Sequence, residues 1–478
     1  MSDTHDLVVI GAGSAGLAAA EVATRFGVRV ALVEGHHIGG DCTWTGCVPS
    51  KALLKAAKAA HTVRTAARYG VSAPPAETDM GRVRAYVREA IERVSRRETP
   101  DALRQRGIEV VRGPACFADP HTIRVGDQSL RARRIVIATG ARPRVPDLPG
   151  LREVPFHTYE TIFDNDRLPG HLLVIGAGPV GVELAQAYRR LGAEVTLVGE
   201  RLLPRDEPEA AEALGRVFAR EGIDLVQGRV SAVRRDGETS VLRVADREVR
   251  GDLLLVAVGR TPRVDGLGLE TIGVKYSATD GIAVDRRLRT TVSHIYAAGD
   301  CVGGYQFTHF AGWQAFHAVR NALLPFGGAG VTDVVPWTTF TDPEVAHVGL
   351  TEAEARRRLG EGVRVTRRDG ALIDRAVCED DAEAFVKLIH RGDGALLGAT
   401  IVGQRAGEAI TEVALALTLG LRPRRIATTM HVYPTYSDAV QQAIGTVVAD
   451  RFFGGVAGRL LRAALGAWRR LRSAARRV

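Results

Sequence analysis

The sequence is poor in cysteine and in aromatic residues. Its 478 residues include 5 cysteines, and aromatic residues make up 5% of the chain. So few cysteines do not form the dense disulfide framework of a small secreted domain. No signal-like apolar segment precedes the first glycine motif, so the sequence predicts a cytoplasmic, reducing compartment. A close cysteine pair there is more often catalytic or metal-binding than a permanent cross-link.

Acidic residues are absent from Arg451 to the end of the sequence, whereas this segment contains eight arginines. The formal net charge of +9 is concentrated there, and the remaining chain is close to neutral. This uneven distribution argues against a nucleic-acid partner for the protein as a whole. Hydrophobic residues at 45% and charged residues at 25% are typical of globular domains.

Residues 5–35 predict a strand at 7–10, a glycine turn, a helix and a second strand at 28–33. The glycines of the turn are Gly11, Gly13 and Gly16. Such glycines let the backbone approach a pyrophosphate at a helix N terminus, and an acid about 20 residues further on accepts from a ribose hydroxyl. Glu34 stands at the position of this acid. The segment therefore predicts a dinucleotide-binding unit.

Residues 171–200 repeat the strand, glycine turn, helix and strand. The glycines here are Gly176, Gly178 and Gly181. Two such units predict two dinucleotides. Further candidate cofactor-binding residues follow predicted strands or precede the cysteine motif, namely Gly40, Thr139, Gly140, Gly259 and Asp300.

Cys42 and Cys47 are separated by four residues and followed directly by Val-Pro-Ser-Lys. A metal site, a structural disulfide and a redox disulfide are the three alternatives for this pair. From about residue 335 the character changes to alternating strands, a capped helix at Thr351 to Glu354, and helices near 404–421 and 435–448. This change predicts a separate α+β domain.

Six motifs occur in order, namely GAGSAG, C-x4-C-V-P-S-K, ATG, GAGPVGVE, YAAGDC and HVYPTYSD. This set resembles the pyridine nucleotide–disulfide oxidoreductases, such as dihydrolipoamide dehydrogenase, glutathione reductase and mercuric reductase, over residues 5–448. The resemblance implies an α/β fold with two Rossmann-like dinucleotide-binding domains and a C-terminal α+β dimerisation domain. It also implies FAD in the first unit, NADPH or NADH in the second, a homodimer, and a small-molecule electron acceptor.

The resemblance also implies domain boundaries. The FAD-binding domain with the redox motif is expected at 1–147 and 267–334, the NAD(P)H-binding domain at 148–266, the dimerisation domain at 335–450, and a basic tail at 451–478.

The resemblance assigns roles to the cysteine motif. Cys47 would face the flavin as the charge-transfer thiol, and Cys42 would exchange with the substrate. Lys51 would lie beside the reactive flavin nitrogen, paired with Glu183. The local sequence supports this role for Cys47, because a helix start at Cys47 and the nearby Lys51 would favour a thiolate. Zinc usually needs four ligands and no second CxxC-type pair exists, so no metal is expected.

The other three cysteines, Cys116, Cys301 and Cys378, are isolated and are expected to be small buried hydrophobic residues. Cys301 follows Asp300 and is the one expected to lie near the cofactor.

The C-terminal motif concerns the electron acceptor. Disulfide-reducing members of the family read H-x-H-P-T-x-x-E, and the second His is the general acid/base held by the Glu. Here Tyr433 stands at the position of that base and Asp438 at that of the Glu. A tyrosine exchanges protons poorly at neutral pH, so lipoamide or glutathione disulfide is not the expected substrate. His431 would substitute only if the backbone turned it inward.

A tyrosine at this place resembles mercuric reductase, but those enzymes also carry a vicinal cysteine pair near the C terminus. The last cysteine here is Cys378, which predicts inefficient Hg(II) reduction. The expected acceptor is another metal ion such as Cu(II), a quinone or a small oxidant, with Tyr433 and Tyr436 shaping the site. The alternatives are a dihydrolipoamide dehydrogenase-type disulfide reductase and a non-catalytic flavin-bound redox sensor.

The choice of nicotinamide depends on the end of the second unit. NADH-selective members place an acid where this sequence has Gly199, followed by Glu200 and Arg201. The missing acid slightly favours NADPH.

The tail from Gly458 to Val478 predicts an amphipathic helix. Apolar residues at helical spacing are Leu461, Ala464, Leu465, Trp468, Leu471 and Ala475, and the arginines mostly opposite are Arg459, Arg462, Arg469, Arg470 and Arg477. This pattern favours contact with a membrane surface, on the inner face, over packing on the protein's own dimer or a solvated tail.

Overall fold

The computed structural model describes residues 4–75, 77–454 and 456–475. The chain divides into two units. The first comprises residues 1–202 and 218–332, and the second comprises residues 203–217 and 333–478.

The first unit contains a large sheet whose central strands are parallel and buried on both faces. Leu7, Val8 and Val9 are fully buried, which explains why this strand is a continuous apolar run. The predicted strands at 7–10 and 28–33 are Thr4–Ile10 and Val30–Glu34. The strand order is Ile108–Arg112, Val30–Glu34, Thr4–Ile10, Gln128–Ile137, Thr122–Val125 and Ala115–Asp119, with Ile295–Ala297 also paired to Gln128–Ile137.

A second parallel sheet in the same unit carries the other glycine motif. Its strand order is Asp224–Gln227, Glu194–Gly199, His171–Ile175 and Leu253–Val256. An antiparallel sheet follows with Val230–Asp236, Thr239–Val244 and Arg247–Gly251, and two short pairs are Ala141–Pro143 with Arg260–Pro262 and Tyr276–Ser277 with Gly281–Ile282. The α-helices are Ser14–Arg25, Gly40–Trp44, Cys47–Thr65, Met80–Ser95, Pro100–Gln105, Pro179–Leu191 and Thr308–Leu323.

The second unit is an antiparallel sheet with helices packed on it. The strand order is Trp337–Thr339, Glu344–Gly349, Leu396–Gly403, Phe385–Arg391 and Val363–Asp369. The helices are Glu352–Leu359, Asp374–Cys378, Ala406–Thr418, Pro423–Ala427, Tyr436–Gly454 and Val456–Ala475, together with the part of Pro208–Glu221 that lies before residue 218. The predicted capping box is confirmed, because the Thr351 and Glu354 side chains each bond the other's backbone amide.

A buried ammonium group crosslinks the second unit. The Lys387 side chain is 2% exposed, and its Nζ lies 3.0, 2.6 and 2.8 Å from carboxylate oxygens of Glu207, Glu209 and Glu352. These three acids form the candidate metal cluster found in the described part of the chain. Lys387 supplies a cation among them and offsets one of their three negative charges.

The predicted fold class is confirmed, with two dinucleotide-type sheets whose central strands are parallel and a C-terminal α+β unit. The predicted tail helix is Val456–Ala475, and Arg477 lies outside the described residues. Within the described helices, none combines the length and the apolar character needed to cross a membrane.

Candidate active site

The two cysteines of the C-x4-C-V-P-S-K motif lie where one helix ends and the next begins. Cys42 lies in the helix Gly40–Trp44, and Cys47 is the first residue of the helix Cys47–Thr65. This confirms the predicted helix start at Cys47. The amide groups of a first helical turn have no intrahelical partner, so they stabilise negative charge on a side chain at this end.

Neither cysteine is in a disulfide, and a hydrogen bond between them shifts their two pKa values in opposite directions. A hydrogen bond from Cys42 lowers the pKa of Cys47 to about 6, against the effect of burial and with help from the Thr308 hydroxyl and the Lys51 charge. The Cys47 sulfur lies 3.2 Å from Thr308 Oγ1. The hydrogen bond to Cys47, together with burial, raises the pKa of Cys42. At neutral pH the proton therefore stays on Cys42, and Cys47 is a thiolate.

We expect the reactivity of Cys47 in the reduced protein to fall as the pH drops through about 6, because protonation removes the thiolate. Cys42→Ala deletes the largest stabilising contact and should move the midpoint to higher pH. Thr308→Val should move it in the same direction by less. The measurement is the rate of iodoacetamide labelling of Cys47, followed by mass spectrometry from about pH 5 to 9.

Cys378 is an exposed thiol in the second unit and serves as an internal control in the same samples. Its labelling profile should be identical in all three proteins. A Cys47 midpoint in Cys42→Ala that equals the midpoint of the unaltered protein would contradict the proton assignment.

Lys51 and Glu183 form an ion pair that joins the cysteine helix to the second glycine unit. Lys51 lies one turn after Cys47, and its Nζ is 2.7 Å from Glu183 Oε2. Glu183 lies on the helix Pro179–Leu191, and its side chain is 8% exposed. The structure therefore brings together Cys42, Cys47, Lys51 and Glu183, as the family resemblance implies.

The first glycine unit has the shape of a pyrophosphate cradle. A Cβ on Gly11 would lie 2.4 Å from the Ala138 carbonyl oxygen, and one on Gly16 would lie 1.7 Å from that of Gly11. Gly40 approaches Gly13 so closely that its Cβ would be 2.7 Å from the Gly13 Cα. The helix Ser14–Arg25 has no side-chain cap at Gly13, so its N-terminal amides face this cradle unblocked.

The second unit repeats this construction. A Cβ on Gly176 would lie 2.4 Å from the Ala257 carbonyl oxygen, and one on Gly181 would lie 1.8 Å from that of Gly176. At Gly178 a Cβ would meet nothing within 4 Å, and the helix that follows has no side-chain cap. The backbone there is open to a phosphate group. Both units thus fit a dinucleotide.

Gly199 ends the second strand of this unit, where the first unit has Glu34. A Cβ on Gly199 would lie 2.6 Å from the Ala177 Cβ, so a larger residue would need the backbone to shift. The neighbouring Glu200 is paired with Arg229 at 2.8 Å. The position equivalent to that of Glu34 therefore carries no carboxylate.

Glu34 and Asp300 are both engaged by the protein itself. The Glu34 carboxylate accepts from the amides of Ala12 and His36, each at 2.6 Å. Asp300 Oδ2 lies 3.0 Å from Arg260 Nη2. Burial raises the pKa of Asp300, although Arg260 acts against it. Each carboxylate retains lone pairs for a cofactor hydroxyl.

The remaining expected cofactor residues shape two loops. Thr139 Oγ1 donates to the Arg263 carbonyl at 2.6 Å, so its hydroxyl hydrogen is used within the protein. Gly140 and Gly259 have φ values of 72° and 111°, which residues with a side chain rarely adopt.

Sequence reasoning missed a polar cluster beside the cysteine motif. Arg260 donates to Asp41 at 2.6 Å, and the Tyr159 hydroxyl donates to the same carboxylate at 3.1 Å. The buried atoms Arg260 Nε and Thr45 Oγ1 have no hydrogen-bond partner among the described residues. Such atoms are rare in folded proteins, and a polar cofactor would satisfy them.

The predicted acceptor residues lie in the second unit. His431 Nε2 is 2.7 Å from Glu412 Oε1, and its Nδ1 is 2.9 Å from the Thr429 carbonyl. Although burial lowers it, the pKa of His431 is raised by these two contacts. Tyr433 is 63% exposed, and its hydroxyl donates to Asp374. Asp438 accepts from Gln442 at 2.6 Å.

Two expectations were wrong. Tyr436 does not border an open site, because it is 2% exposed and its hydroxyl donates to Glu379 and Asp381. Cys378 is exposed rather than buried, because it ends the short surface helix Asp374–Cys378. Cys301 is fully buried as predicted, and burial raises its pKa to about 11.

The two glycine cradles and the dithiol at a helix start define a dinucleotide-dependent redox protein. Residues 5–315 match the family model described as pyridine nucleotide-disulphide oxidoreductase, and residues 335–444 match the dimerisation domain of the same family. The chain belongs to the pyridine nucleotide-disulphide oxidoreductases. Enzymes of this family use FAD and NAD(P)H, and the dimerisation domain supports a homodimer.

Relatives in this family carry different names. The chain is 37% identical to a mercuric reductase of Streptomyces lividans, covering 93% of this chain and 97% of that one. It is 36% identical to a dihydrolipoyl dehydrogenase of Thermus scotoductus, covering 92% and 96%. The Cu(II) complex of the HOCl-induced flavoprotein disulfide reductase RclA from Escherichia coli matches with a TM-score of 0.83 and 27% identity, covering 93% and 99%.

Proposed function

We propose that this oxidoreductase passes electrons from NAD(P)H, through FAD and the Cys42–Cys47 pair, to a thiophilic metal ion, with Cu(II) as the favoured substrate. The observation that carries this proposal is the dithiol at a helix start, in which Cys47 lies 3.2 Å from Thr308 Oγ1 and has a pKa of about 6 that makes it a thiolate beside a second thiol. Soft thiolate ligands prefer Cu(I), so a thiolate pair favours the reduced product over Cu(II) and thereby favours the reduction.

The dithiol step balances without another reactant. Cys42 loses its proton, Cys47 reacts as the thiolate that it already is at neutral pH, one S–S bond forms, and two electrons leave the pair. Two Cu(II) ions each accept one electron and become Cu(I), or one Hg(II) ion accepts both. NAD(P)H then restores the two thiols for the next cycle.

The cofactors are assigned to the two cradles. We place FAD at Gly11, Gly13, Gly16 and Glu34, and NAD(P)H at Gly176, Gly178 and Gly181, within the domain boundaries that the sequence predicts. When bound, FAD supplies the ability to take two electrons from a nicotinamide and pass them on. Lys51, held by Glu183, presents a fixed positive charge beside Cys47 and favours its thiolate form.

Tyr433 argues against a disulfide substrate. Its hydrogen bond to Asp374 and the charge of that carboxylate raise its pKa. A tyrosine that keeps its proton so firmly cannot act as a general base at neutral pH. A metal-ion substrate needs no such base, because no thiol of the substrate has to be protonated or deprotonated.

One observation favours a second candidate, a dithiol–disulfide reductase. His431 is bonded to Glu412 and has a raised pKa, so it could exchange protons near neutral pH. In this alternative, lipoamide or glutathione disulfide would be reduced, and His431→Gln would lower that activity.

The test is an anaerobic panel of acceptors with the purified flavoprotein. Cu(II), Hg(II), a water-soluble quinone, lipoamide and glutathione disulfide are compared, each with NADPH and with NADH. We expect the highest kcat/KM with Cu(II), and Cu(I) is measured with a colorimetric chelator. NADPH is expected to be the better donor, because Gly199 offers no carboxylate against its 2′-phosphate.

Cys378→Ser is the matched control, since it removes an exposed thiol outside the pair. It should keep the activity with Cu(II), whereas Cys42→Ser should lose it. Faster turnover of lipoamide or glutathione disulfide, sensitive to His431→Gln, would replace the first candidate by the second.

A further inference from the structure

The helix Val456–Ala475, called here the tail helix, follows the residues matched by the dimerisation-domain model. Helical geometry of 100° per residue gathers its apolar residues on one side and most arginines on the other. The apolar side chains are Leu460, Leu461, Ala464, Leu465 and Trp468, and the opposite side carries Arg459, Arg462, Arg469 and Arg470.

The apolar side of the tail helix is open to solvent in the structure of the single chain. Leu460, Leu465 and Trp468 are 66%, 44% and 51% exposed. Phe452 and Phe453, directly before the helix, are also about half exposed. Such a row of large apolar side chains is uncommon on a monomeric surface and marks an interaction site.

The charge of the segment says what kind of surface covers this side. From Arg451 onward the sequence has eight arginines and no acidic residue, so the segment repels another copy of itself and attracts an anionic surface. An apolar stripe bordered by arginines fits the boundary between lipid headgroups and acyl chains.

We infer that the tail helix docks the protein on an anionic lipid surface. The helix lies along the surface, with Leu465 and Trp468 inserted and the arginines at the level of the headgroups. The Arg472 guanidinium stacks 4.3 Å from the centroid of the Trp468 ring, so its charge stays next to the ring at the edge of the apolar side. The arginines exclude a spanning arrangement.

Sedimentation with vesicles tests this inference on the full-length flavoprotein. Vesicles of phosphatidylcholine with phosphatidylserine are compared with vesicles of phosphatidylcholine alone, at low and at near-physiological salt. We expect pelleting with the anionic vesicles only, weaker at higher salt. Arg469→Gln with Arg470→Gln should weaken binding by about tenfold or more, because each arginine near such a surface contributes to the attraction.

Matched variants separate the apolar and the charge contributions. Leu465→Ser with Trp468→Ser should abolish pelleting, whereas Ala463→Ser places a serine nearer the arginine side and should leave it unchanged. Arg82→Gln with Arg131→Gln removes the same net charge from exposed positions of the first unit and should also leave it unchanged.

Several outcomes would overturn the inference. One is equal pelleting of the Leu465→Ser, Trp468→Ser variant and the unaltered protein. Another is the absence of pelleting of the unaltered protein together with a change in oligomeric state of the Leu465→Ser, Trp468→Ser variant, which would show that the apolar side packs on the dimer. Binding of a nucleic acid by the same helix, without lipid binding, is the third.

Discussion

Replacing Cys47 with serine should abolish NAD(P)H-driven reduction of the acceptor while leaving FAD bound. Cys47 supplies the thiolate of the pair, and a serine hydroxyl neither ionises at neutral pH nor forms an S–S bond. We expect kcat/KM for Cu(II) to fall by roughly 10³-fold or more, the scale of removing a covalent nucleophile. Steady-state rates and the flavin absorbance of the purified variant provide the measurement.

Cys42→Ser separates the two thiols. It should lose turnover as well, because the disulfide cannot form, but it retains Cys47 and should keep the long-wavelength charge-transfer absorbance on reduction. Cys47→Ser should lack that absorbance, and Cys378→Ser should behave like the unaltered enzyme. Full turnover in both Cys42→Ser and Cys47→Ser would mean that electrons reach the acceptor without the pair.

The second large effect is expected at Gly16. An alanine there would place its Cβ 1.7 Å from the Gly11 carbonyl oxygen, so the glycine turn has to open. Strain of about 1–3 kcal/mol is typical of such overpacking, and we expect FAD affinity to fall roughly tenfold to a hundredfold. The ratio of flavin to protein absorbance after purification, and a titration with free FAD, measure the loss.

Gly181→Ala is the matched control, because its Cβ would lie 1.8 Å from the Gly176 carbonyl oxygen in the other cradle. This variant should keep its flavin and be reduced by dithionite but only slowly by NADPH or NADH. Circular dichroism of both variants distinguishes local loss of a cofactor from unfolding. The opposite pattern, with flavin lost from Gly181→Ala and retained in Gly16→Ala, would reverse the assignment of the two cradles.

Local patterns made much of the site predictable from the sequence. The glycines of both cradles, the helix start at Cys47 and the capping box at Thr351 depend on short stretches of sequence, and each is found where it was expected. Lys51 and Glu183 are 132 residues apart in the sequence, and only the family resemblance predicted that they pair.

Contacts between distant segments were not predictable, because no periodicity encodes them. Thr308 lies 261 residues from Cys47, and Arg260 lies 219 residues from Asp41. Glu412, 19 residues before His431 in the sequence, is bonded to His431, and no motif marked it in advance. Tyr436 was expected at an open site, but its ring is buried and its hydroxyl donates to two carboxylates that lie more than 50 residues away in the sequence.

Reducing equivalents from NAD(P)H are expected to reach the Cys42–Cys47 pair. The direct measurement is thiol counting by alkylation and mass spectrometry, before and after anaerobic addition of NADPH or NADH to the oxidised flavoprotein. We expect Cys42 and Cys47 to become labelled only after the nicotinamide is added, while Cys378 is labelled throughout. Reduction of the flavin with no new labelling of Cys42 and Cys47 would contradict this expectation.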